Sequence, residues 1–310
     1  MNNLKIHFLN TIWSDAIILE SNNKYAFIDT GSQFYYPMIQ NHCNEFNIEE
    51  IEFILLTHFH SDHYGNIINI LTDNTVKALY LKRYYGLDGT TASGYASNEE
   101  YIQHELMIYN KILEAAAANN TKVIFVDELG EETFDLPFDN HKLELYDIQN
   151  TLYKLYIDEN SPYYMQKPFN ENFNSIGTFI KVNDFHIFLG ADATCSKTSV
   201  VELQDLSIKM IKKYYQKYNI NHLNIYKTCH HGGGGTNTLE LCQLINPEYA
   251  IITNTDRWLD NWPTISNLKE SNKDVQILKC DYQKYIFNIN SKITYQEIKE
   301  DSLFLTLKKN

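Results

Sequence analysis

The feature that most constrains this 310-residue sequence is the segment THFHSDH at residues 57–63, which directly follows an apolar run. The run predicts a buried strand. At its end His58 and His60 project to the same side, because they lie two residues apart in extended chain. Asp62 and His63 follow where the chain turns toward a predicted helix. Three histidines and one aspartate within six residues exceed what capping a turn requires. We therefore predict that this segment supplies ligands to two neighbouring metal ions.

Two later segments also place metal-binding side chains after predicted strands. Asp192 follows an apolar strand predicted at residues 185–189. Its Gly-Ala-Asp turn is weak evidence alone, but it offers the bridging carboxylate that a two-metal site needs. The segment TCHHG at residues 228–232 ends another predicted strand. One of its two histidines should be a ligand. The pattern slightly favours His231, which leaves His230 for a place behind the ligands or for contact with a substrate oxygen.

The residue types also predict the metal and its chemistry. Imidazole and carboxylate ligands suit zinc, and manganese or iron could replace it. Two such ions about 3.5–4 Å apart lower the pKa of a shared water toward about 7, so that a bridging hydroxide forms at neutral pH. The same ions polarise the scissile oxygen. Asp62 could orient this hydroxide, and Asp62 and His230 are therefore the predicted catalytic residues.

Strand and helix patterns follow one another along the whole sequence, without a linker, repeat or low-complexity block. Apolar spacing predicts helices at residues 36–46, 98–119 and 199–218 and a loop at residues 151–174. We predict one domain over residues 1–310, with two β-rich halves that each carry helices.

Taken together, these motifs resemble the metallo-β-lactamase superfamily: HxHxDH, Gly-x-Asp, His-His-Gly, and the segment IDTG at residues 28–31. The His-His-Gly segment resembles the branch that includes the hydrolase domain of the competence protein ComEC. Residues 4–10, 15–29 and 53–66 are similar to the catalytic module of bacterial phosphorylcholine esterase. The resemblance implies a four-layer αββα sandwich of the α/β class. It also implies a site with two zinc ions and these ligands: His58, His60, Asp62, His63, Asp192, and His230 or His231.

One departure from the family pattern concerns the metal held by His58 and His60. Many members have a further histidine between the first motif and the bridging aspartate. The histidines in this interval, at positions 104, 141 and 186, lie in other contexts and are expected to pack or to face solvent. Asn174 occupies the place where that ligand would fall. The resemblance then implies three protein ligands for this ion and a more open, more weakly held site.

A phosphodiester is the substrate that fits best, because two cations match its charge and the esterase it resembles cleaves such a bond. Hydrolysis of a lactone, thioester or β-lactam by the same fold is the alternative, and a non-catalytic metal-binding protein is a third hypothesis. A choline-like headgroup would need aromatic faces for cation–π contact. Trp258, Trp262 and Tyr164 are candidates for this contact, and Asn174 is a further candidate substrate residue. The alternative interpretation is that these rings only pack loops against the sheet.

Charge and composition limit the partners. The formal net charge is −13, with 39 acidic and 26 basic residues, and the basic clusters are short. Such a surface repels phosphate backbones, so we expect a small-molecule or headgroup ester as substrate and no binding of nucleic acid.

Five scattered cysteines without a CxxC pair suit a reducing compartment. The sequence contains no apolar stretch of about 18 residues that would span a membrane. The first residues lack the pattern of a signal peptide. We therefore expect a cytoplasmic protein without a membrane span, and its oligomeric state stays open.

Overall fold

The structure is a computed structural model that describes residues 3–89, 94–149, 156–162, 164, 170–194 and 206–299. The strands are β1 (Leu4–Phe8), β2 (Ala16–Ser21), β3 (Lys24–Thr30), β4 (Glu50–Ile51), β5 (Phe53–Leu55), β6 (Thr75–Val76), β7 (Ala78–Leu81), β8 (Lys122–Phe125), β9 (Thr133–Phe138), β10 (His141–Tyr146), β11 (Gly177–Val182), β12 (Phe185–Leu189), β13 (Ile225–Lys227), β14 (Tyr249–Ile252), β15 (Gln276–Lys279), β16 (Gln283–Ile289) and β17 (Ile293–Lys299). The helices are α1 (Tyr36–Glu45), α2 (Ser61–Tyr64), α3 (Ile67–Asp73), α4 (Asn98–Ala118), α5 (Leu206–Tyr218), α6 (Leu239–Ile245), α7 (Asp256–Leu259) and α8 (Thr264–Ser271).

Two large mixed sheets organise these strands. The eight-stranded sheet has the order β17-β16-β1-β2-β3-β5-β7-β8, and the seven-stranded sheet has the order β15-β14-β13-β12-β11-β10-β9. Strands β4 and β6 form a separate pair. Within the eight-stranded sheet β3, β5 and β7 run parallel, and within the seven-stranded sheet β12, β13 and β14 run parallel.

Alternating side chains divide the interior into three apolar layers. In β2, Ile17 and Leu19 face the other sheet, whereas Ile18 packs with the helices α1, α3 and α4. In β12, Ile187 faces the other sheet, whereas Phe188 packs with α5, α6 and α8. Because successive strand residues point to opposite faces, each sheet is covered by helices outside and by its partner sheet inside. The predicted αββα sandwich is confirmed.

The topology also fixes where a site can form. The carboxyl ends of β3, β5 and β7 lie at one edge of their sheet, and those of β12, β13 and β14 lie at one edge of theirs. In open α/β sheets ligands bind outside these ends. The THFHSDH segment follows β5, Asp192 follows β12, and the His-His-Gly segment follows β13. The two parallel sets therefore present their loops to one another.

Most predicted elements agree with the structure to within one or two residues, and a few differ. The helix predicted at residues 199–218 is described only from Leu206, and its start lies outside the described residues. The short helix predicted after the THFHSDH segment is instead two helices, α2 and α3, and Asp62 and His63 lie within the first of them. Strand β9 was not predicted, because it contains Pro137; the structure tolerates this proline because β9 is a sheet edge.

Among the described residues, no helix is both long enough and apolar enough to cross a membrane. Four of the five cysteines are described, at positions 43, 229, 242 and 280, and each is a buried free thiol. Cys195 lies outside the described residues.

Candidate metal centre

Two groups of side chains converge between the sheet edges. The four-residue group consists of Asp62, His63, Asp192 and His231, and the three-residue group consists of His58, His60 and Asp192. Within each group one ligand atom per residue lies within 4.8 Å of all the others. Asp192 belongs to both groups.

In the four-residue group, Nε2 of His231 lies 3.2 Å from Oδ2 of Asp62 and 3.5 Å from Oδ1 of Asp192. Nε2 of His63 lies 3.3 Å from Oδ1 of Asp192. Although these last two atoms are close, both are buried without a partner in hydrogen-bond geometry among the described residues. Leaving such atoms unpaired costs free energy, whereas a cation between them would satisfy both. The donor set therefore fits a divalent metal ion.

In the three-residue group, Nε2 of His58 lies 3.1 Å from Nδ1 of His60 and 3.8 Å from Oδ2 of Asp192. Asp192 thus turns one oxygen toward each group. This is the arrangement that a carboxylate bridging two metals requires.

A second set of polar groups holds the imidazoles from behind. Nδ1 of His63 lies 2.7 Å from Oδ2 of Asp29, and Nδ1 of His231 lies 3.2 Å from Oδ1 of Asp15. Such carboxylate–histidine pairs fix the tautomer and the orientation of metal-binding imidazoles. Asp29 stands in the IDTG segment that the sequence singled out, whereas Asp15 was missed.

Asp15 also contacts a buried cation. Nζ of Lys227 forms an ion pair with Oδ2 of Asp15 and lies 3.3 Å from the carbonyl oxygen of Ala191. The hydroxyl of Thr253, at the end of β14, donates to Oδ1 of Asp15 and lies 2.9 Å from Nδ1 of His231. Since Lys227 is the last residue of an apolar strand, its sequence context alone gave no sign of this role.

The electrostatics of the centre favour positive charge at the four-residue group. Burial alone would lower the pKa of His231, but the carboxylates of Asp192 and Asp15 outweigh it and raise the pKa to about 9. The pKa of His63 lies well above its usual value, because Asp192 and Asp29 likewise outweigh burial. A divalent metal ion would supply the positive charge that these carboxylates favour, and its binding would release protons.

His230 and His231 occupy strained backbone. Their φ angles are 49° and 52°, in the left-handed region that non-glycine residues rarely adopt. A Cβ on Gly234 would lie 2.3 Å from Nδ1 of His230, so only glycine lets this ring take its place. Nε2 of His230 lies 3.8 Å from Oδ2 of Asp192 and 3.3 Å from Nδ2 of Asn172. His231 therefore faces the four-residue group, and His230 faces the three-residue group.

The predicted substrate residues lie in different surroundings. Asn174 is buried, and its side chain accepts from Nζ of Lys82 and donates to Oε1 of Glu171. The structure instead places Asn172 beside His230. Sequence reasoning missed Asn172. Tyr164 is 43% exposed. Tyr163 and Pro168, in the same predicted loop at residues 151–174, lie outside the described residues.

The two predicted tryptophans border the centre through other residues. Trp258 is 47% exposed and makes an edge contact with Trp13 at 5.1 Å between ring centroids. Trp13 in turn lies 6.5 Å from the ring of His231. Trp262 is 38% exposed and lies beside the backbone of Gly233, in the loop after the two histidines. The residues Asp256–Leu259, predicted as loop, form the short helix α7 that carries Trp258.

The three histidines that were not expected to bind metal have other hydrogen-bond partners. His186 pairs with the hydroxyl of Tyr214 at 2.9 Å, His104 with the hydroxyl of Tyr95 at 2.9 Å, and His141 with the carbonyl oxygen of Asn3 at 3.3 Å.

The two sheets, their covering helices and the site between their edges define the metallo-β-lactamase fold. In agreement with this, residues 14–141 match the family model described as the metallo-beta-lactamase superfamily. The matched part contains the THFHSDH segment and ends before Asp192. Comparison with curated proteins gave no significant match.

Similar solved structures are distant in sequence. The protein CmlA beta-hydroxylase aligns with 93% of this chain at 10% identity and a TM-score of 0.51. This chain spans 54% of its length, and the likeness shows the fold alone. The metallo-beta-lactamase fold protein YhfI from Bacillus subtilis aligns over 95% of this chain and 100% of its own chain, at 10% identity and a TM-score of 0.48. A diphosphatase from the PhnP family aligns with 97% of this chain and 99% of its own, at 11% identity and a TM-score of 0.45.

Proposed function

We propose that this protein is a hydrolase with two metal ions, which acts as a phosphodiesterase on small or headgroup-like esters. The observation that carries the proposal is the position of Asp192, whose two oxygens face two separate groups of ligands. The ligands would be His58, His60 and Asp192 for one ion and Asp62, His63, Asp192 and His231 for the other. Zinc suits this set of nitrogen and oxygen donors, and manganese or iron(II) could serve. Two bound divalent ions supply activated water and polarise the ester oxygen.

The exposed side chains of the centre indicate where substrate would enter. The side chains of Asp62 and His230 are 30% and 28% exposed, whereas those of His58, His63, and His231 are fully buried. Asp62 would hold and orient the attacking water from this open side. His230 and the side-chain amide of Asn172, which lies 3.3 Å from Nε2 of His230, would contact a substrate oxygen near the three-residue group, with the amide N–H of Asn172 as the donor. A small diester fits this arrangement, because its negative charge meets two cations and a hydrogen-bond donor.

The first experiment measures metal content and turnover together. Elemental analysis should find close to two divalent ions per chain. The zinc-loaded protein should hydrolyse bis(nitrophenyl) phosphate faster than nitrophenyl carboxylic esters, lactones, thioesters or β-lactams. Asp192→Ala should lose turnover to background and retain less metal, because one residue serves both ions.

The matched control is Asp184→Ala, which removes an exposed carboxylate before the start of the same strand β12. It should retain full metal content and turnover. Absence of bound metal after reconstitution would refute the proposal. Faster cleavage of a lactone, thioester or β-lactam would keep the hydrolase and replace its substrate class.

We further propose that a choline-like headgroup binds at Trp258 and Trp262. Both indoles are exposed beside the centre, and a quaternary ammonium on an aromatic face gains about 0.5–1 kcal/mol at exposed sites and about 2 kcal/mol or more when desolvated. Trp258→Ala and Trp262→Ala should therefore reduce kcat/KM for nitrophenyl-phosphorylcholine several-fold and leave bis(nitrophenyl) phosphate almost unchanged. Tyr282→Ala, which removes an aromatic residue that is 50% exposed, is the control. Equal losses on both substrates would mean that the tryptophans only support the fold.

A further inference from the structure

The three-residue group has fewer protein ligands than its neighbour, so each ligand's orientation matters more. His60 contributes Nδ1, which lies 3.1 Å from Nε2 of His58. Its other ring nitrogen, Nε2, lies 2.8 Å from Oδ2 of Asp88. Asp88 is 1% exposed, so the carboxylate of this pair is shielded from water. A ring held at Nε2 cannot rotate without breaking that hydrogen bond, and Nδ1 is thereby directed at the site.

The segment that carries Asp88 is itself anchored. It follows the carboxyl end of β7, and Tyr84 within it stacks on Phe59 at 4.5 Å between ring centroids. Phe59 lies between the two histidines of the group, so the segment and the ligands share one packed surface. The carbonyl oxygen of Asp88 accepts from Nδ2 of Asn98, the first residue of α4.

A glycine lets this segment pass close to α4. Gly86 has φ 67°, and a Cβ there would lie 3.0 Å from side-chain atoms of Ile102 and Leu106. Backbone and side-chain contacts therefore determine where the Asp88 carboxylate stands, independently of any metal.

From this geometry we infer that Asp88 is a positioning residue for the three-residue metal site. Its carboxylate would hold His60 with Nδ1 toward the ion and stabilise the positive charge that metal binding places on the imidazole. The inference rests on the proposed two-metal function. The four-residue site has its own counterparts, Asp29 behind His63 and Asp15 behind His231, so Asp88 should act on one ion only.

The test is a zinc titration of metal-free protein by equilibrium dialysis, with elemental analysis of the bound metal. The wild type should show two binding steps, the weaker of them at the three-residue site. Loss of a carboxylate behind a metal-binding histidine lowers metal affinity about 10–100-fold. Asp88→Ala should weaken the second step by about this factor. Asp88→Asn keeps an acceptor for His60 but removes the charge, and it should weaken the step less. The first step should stay unchanged in both variants, which makes it an internal control.

A second control and a spectroscopic measurement separate positioning from folding. Asp127→Asn alters a nearby carboxylate that accepts from the backbone N–H of Arg83, and both of its zinc steps should match the wild type. Cobalt(II) added in place of zinc should give a changed absorption spectrum only for the second equivalent in the Asp88 variants. Equal weakening of both steps in the Asp88 variants would overturn the role of Asp88. So would a second step that is unchanged in these variants when the wild type binds two ions. A wild type that binds no metal would refute the proposed function itself.

Discussion

At the scale of single residues, the centre depends on conformations and charges that are costly elsewhere. Two consecutive histidines with positive φ angles are a strained arrangement, of a kind that persists only where the surroundings enforce it. Here Gly233 donates its N–H to the carbonyl oxygen of His230 at 2.7 Å, and Asn254 donates to that of His231 at 3.2 Å. The turn directs the two imidazoles to different groups although they are neighbours in sequence.

Lys227 is the other costly residue, because its charge is fully buried and is balanced by Asp15. Removing one partner of a buried pair typically costs about 3–5 kcal/mol when the remaining charge stays unpaired, and here Asp15 would keep Thr253 and His231 as partners. We therefore expect Lys227→Met to lower the free energy of unfolding of the metal-free protein by up to this amount. The double variant with Asp15→Asn should recover a substantial part. Urea unfolding of the single and double variants measures the difference.

The control for this cycle is Lys213→Met, which removes the exposed pair with Glu132. Exposed pairs contribute about 0–1 kcal/mol, so its unfolding curve should barely move. A loss as small as this in Lys227→Met, or a double variant less stable than either single variant, would show that Asp15 does not stabilise the buried charge of Lys227.

At the scale of elements, a directional chain of hydrogen bonds joins β16, α1, β1 and β2. Nζ of Lys284 donates to Nδ1 of His42 at 3.1 Å, so the proton of neutral His42 is on Nε2. That atom donates to Nδ1 of His7 at 3.0 Å, and Nε2 of His7 donates to Glu20 at 3.1 Å. Each donor meets an acceptor only if both histidines are neutral.

Acid should break this chain. Burial, with the nearby positive charge of Lys284, lowers the pKa of His42 to about 2, and burial also lowers that of His7 against the opposing effect of Glu20. An unfolded histidine titrates near 6.5. Below about pH 6.5 the unfolded state therefore binds more protons than the folded state, and stability falls as the pH falls. For His42 alone the loss between pH 7 and pH 5 is about 2 kcal/mol.

Replacing His42 should remove its part of this pH dependence. The free energy of unfolding of His42→Phe, measured in urea at pH 7 and pH 5, should fall by about 2 kcal/mol less than that of the wild type. Lys284 keeps Glu45 as its partner in this variant. His222→Phe, at an exposed position, should behave as the wild type does. An equal loss in wild type and His42→Phe would mean that His42 is not neutral in the folded protein.

At the scale of the whole molecule, the proposed ions would be bound by residues from both sheets. The eight-stranded sheet provides the residues of the THFHSDH segment, and the seven-stranded sheet provides Asp192 and His231. A ligand that binds only the folded state stabilises it, by about 2.7 kcal/mol at a free concentration 100 times Kd. We expect the zinc-loaded protein to have a higher Tm than the chelator-treated protein. Asp192→Ala should lose most of this difference, because it lacks the residue common to both groups. A Tm that does not respond to zinc in the wild type would contradict this.

The sequence pattern was enough to predict most of the elements, and the resemblance to the metallo-β-lactamase superfamily implied the αββα fold. Apolar periodicity reports which residues are buried, and the clustered histidines follow a strand, so their proximity is a local property of the chain. The strand β9 was missed because local rules disfavour proline in a strand, and only the sheet topology puts this strand at an edge.

What the sequence could not determine is which distant polar groups meet. Asp15, Asp88, Asn172 and Lys227 have no motif around them, yet they surround the candidate ligands because several loops end at the same sheet edges. The sequence left open which of His230 and His231 faces each group, and the left-handed turn decides their directions. Local sequence thus determined which elements form and which side chains can bind metal. Tertiary packing decided which carboxylates lie behind them, because burial and charge pairing depend on neighbours far away along the chain.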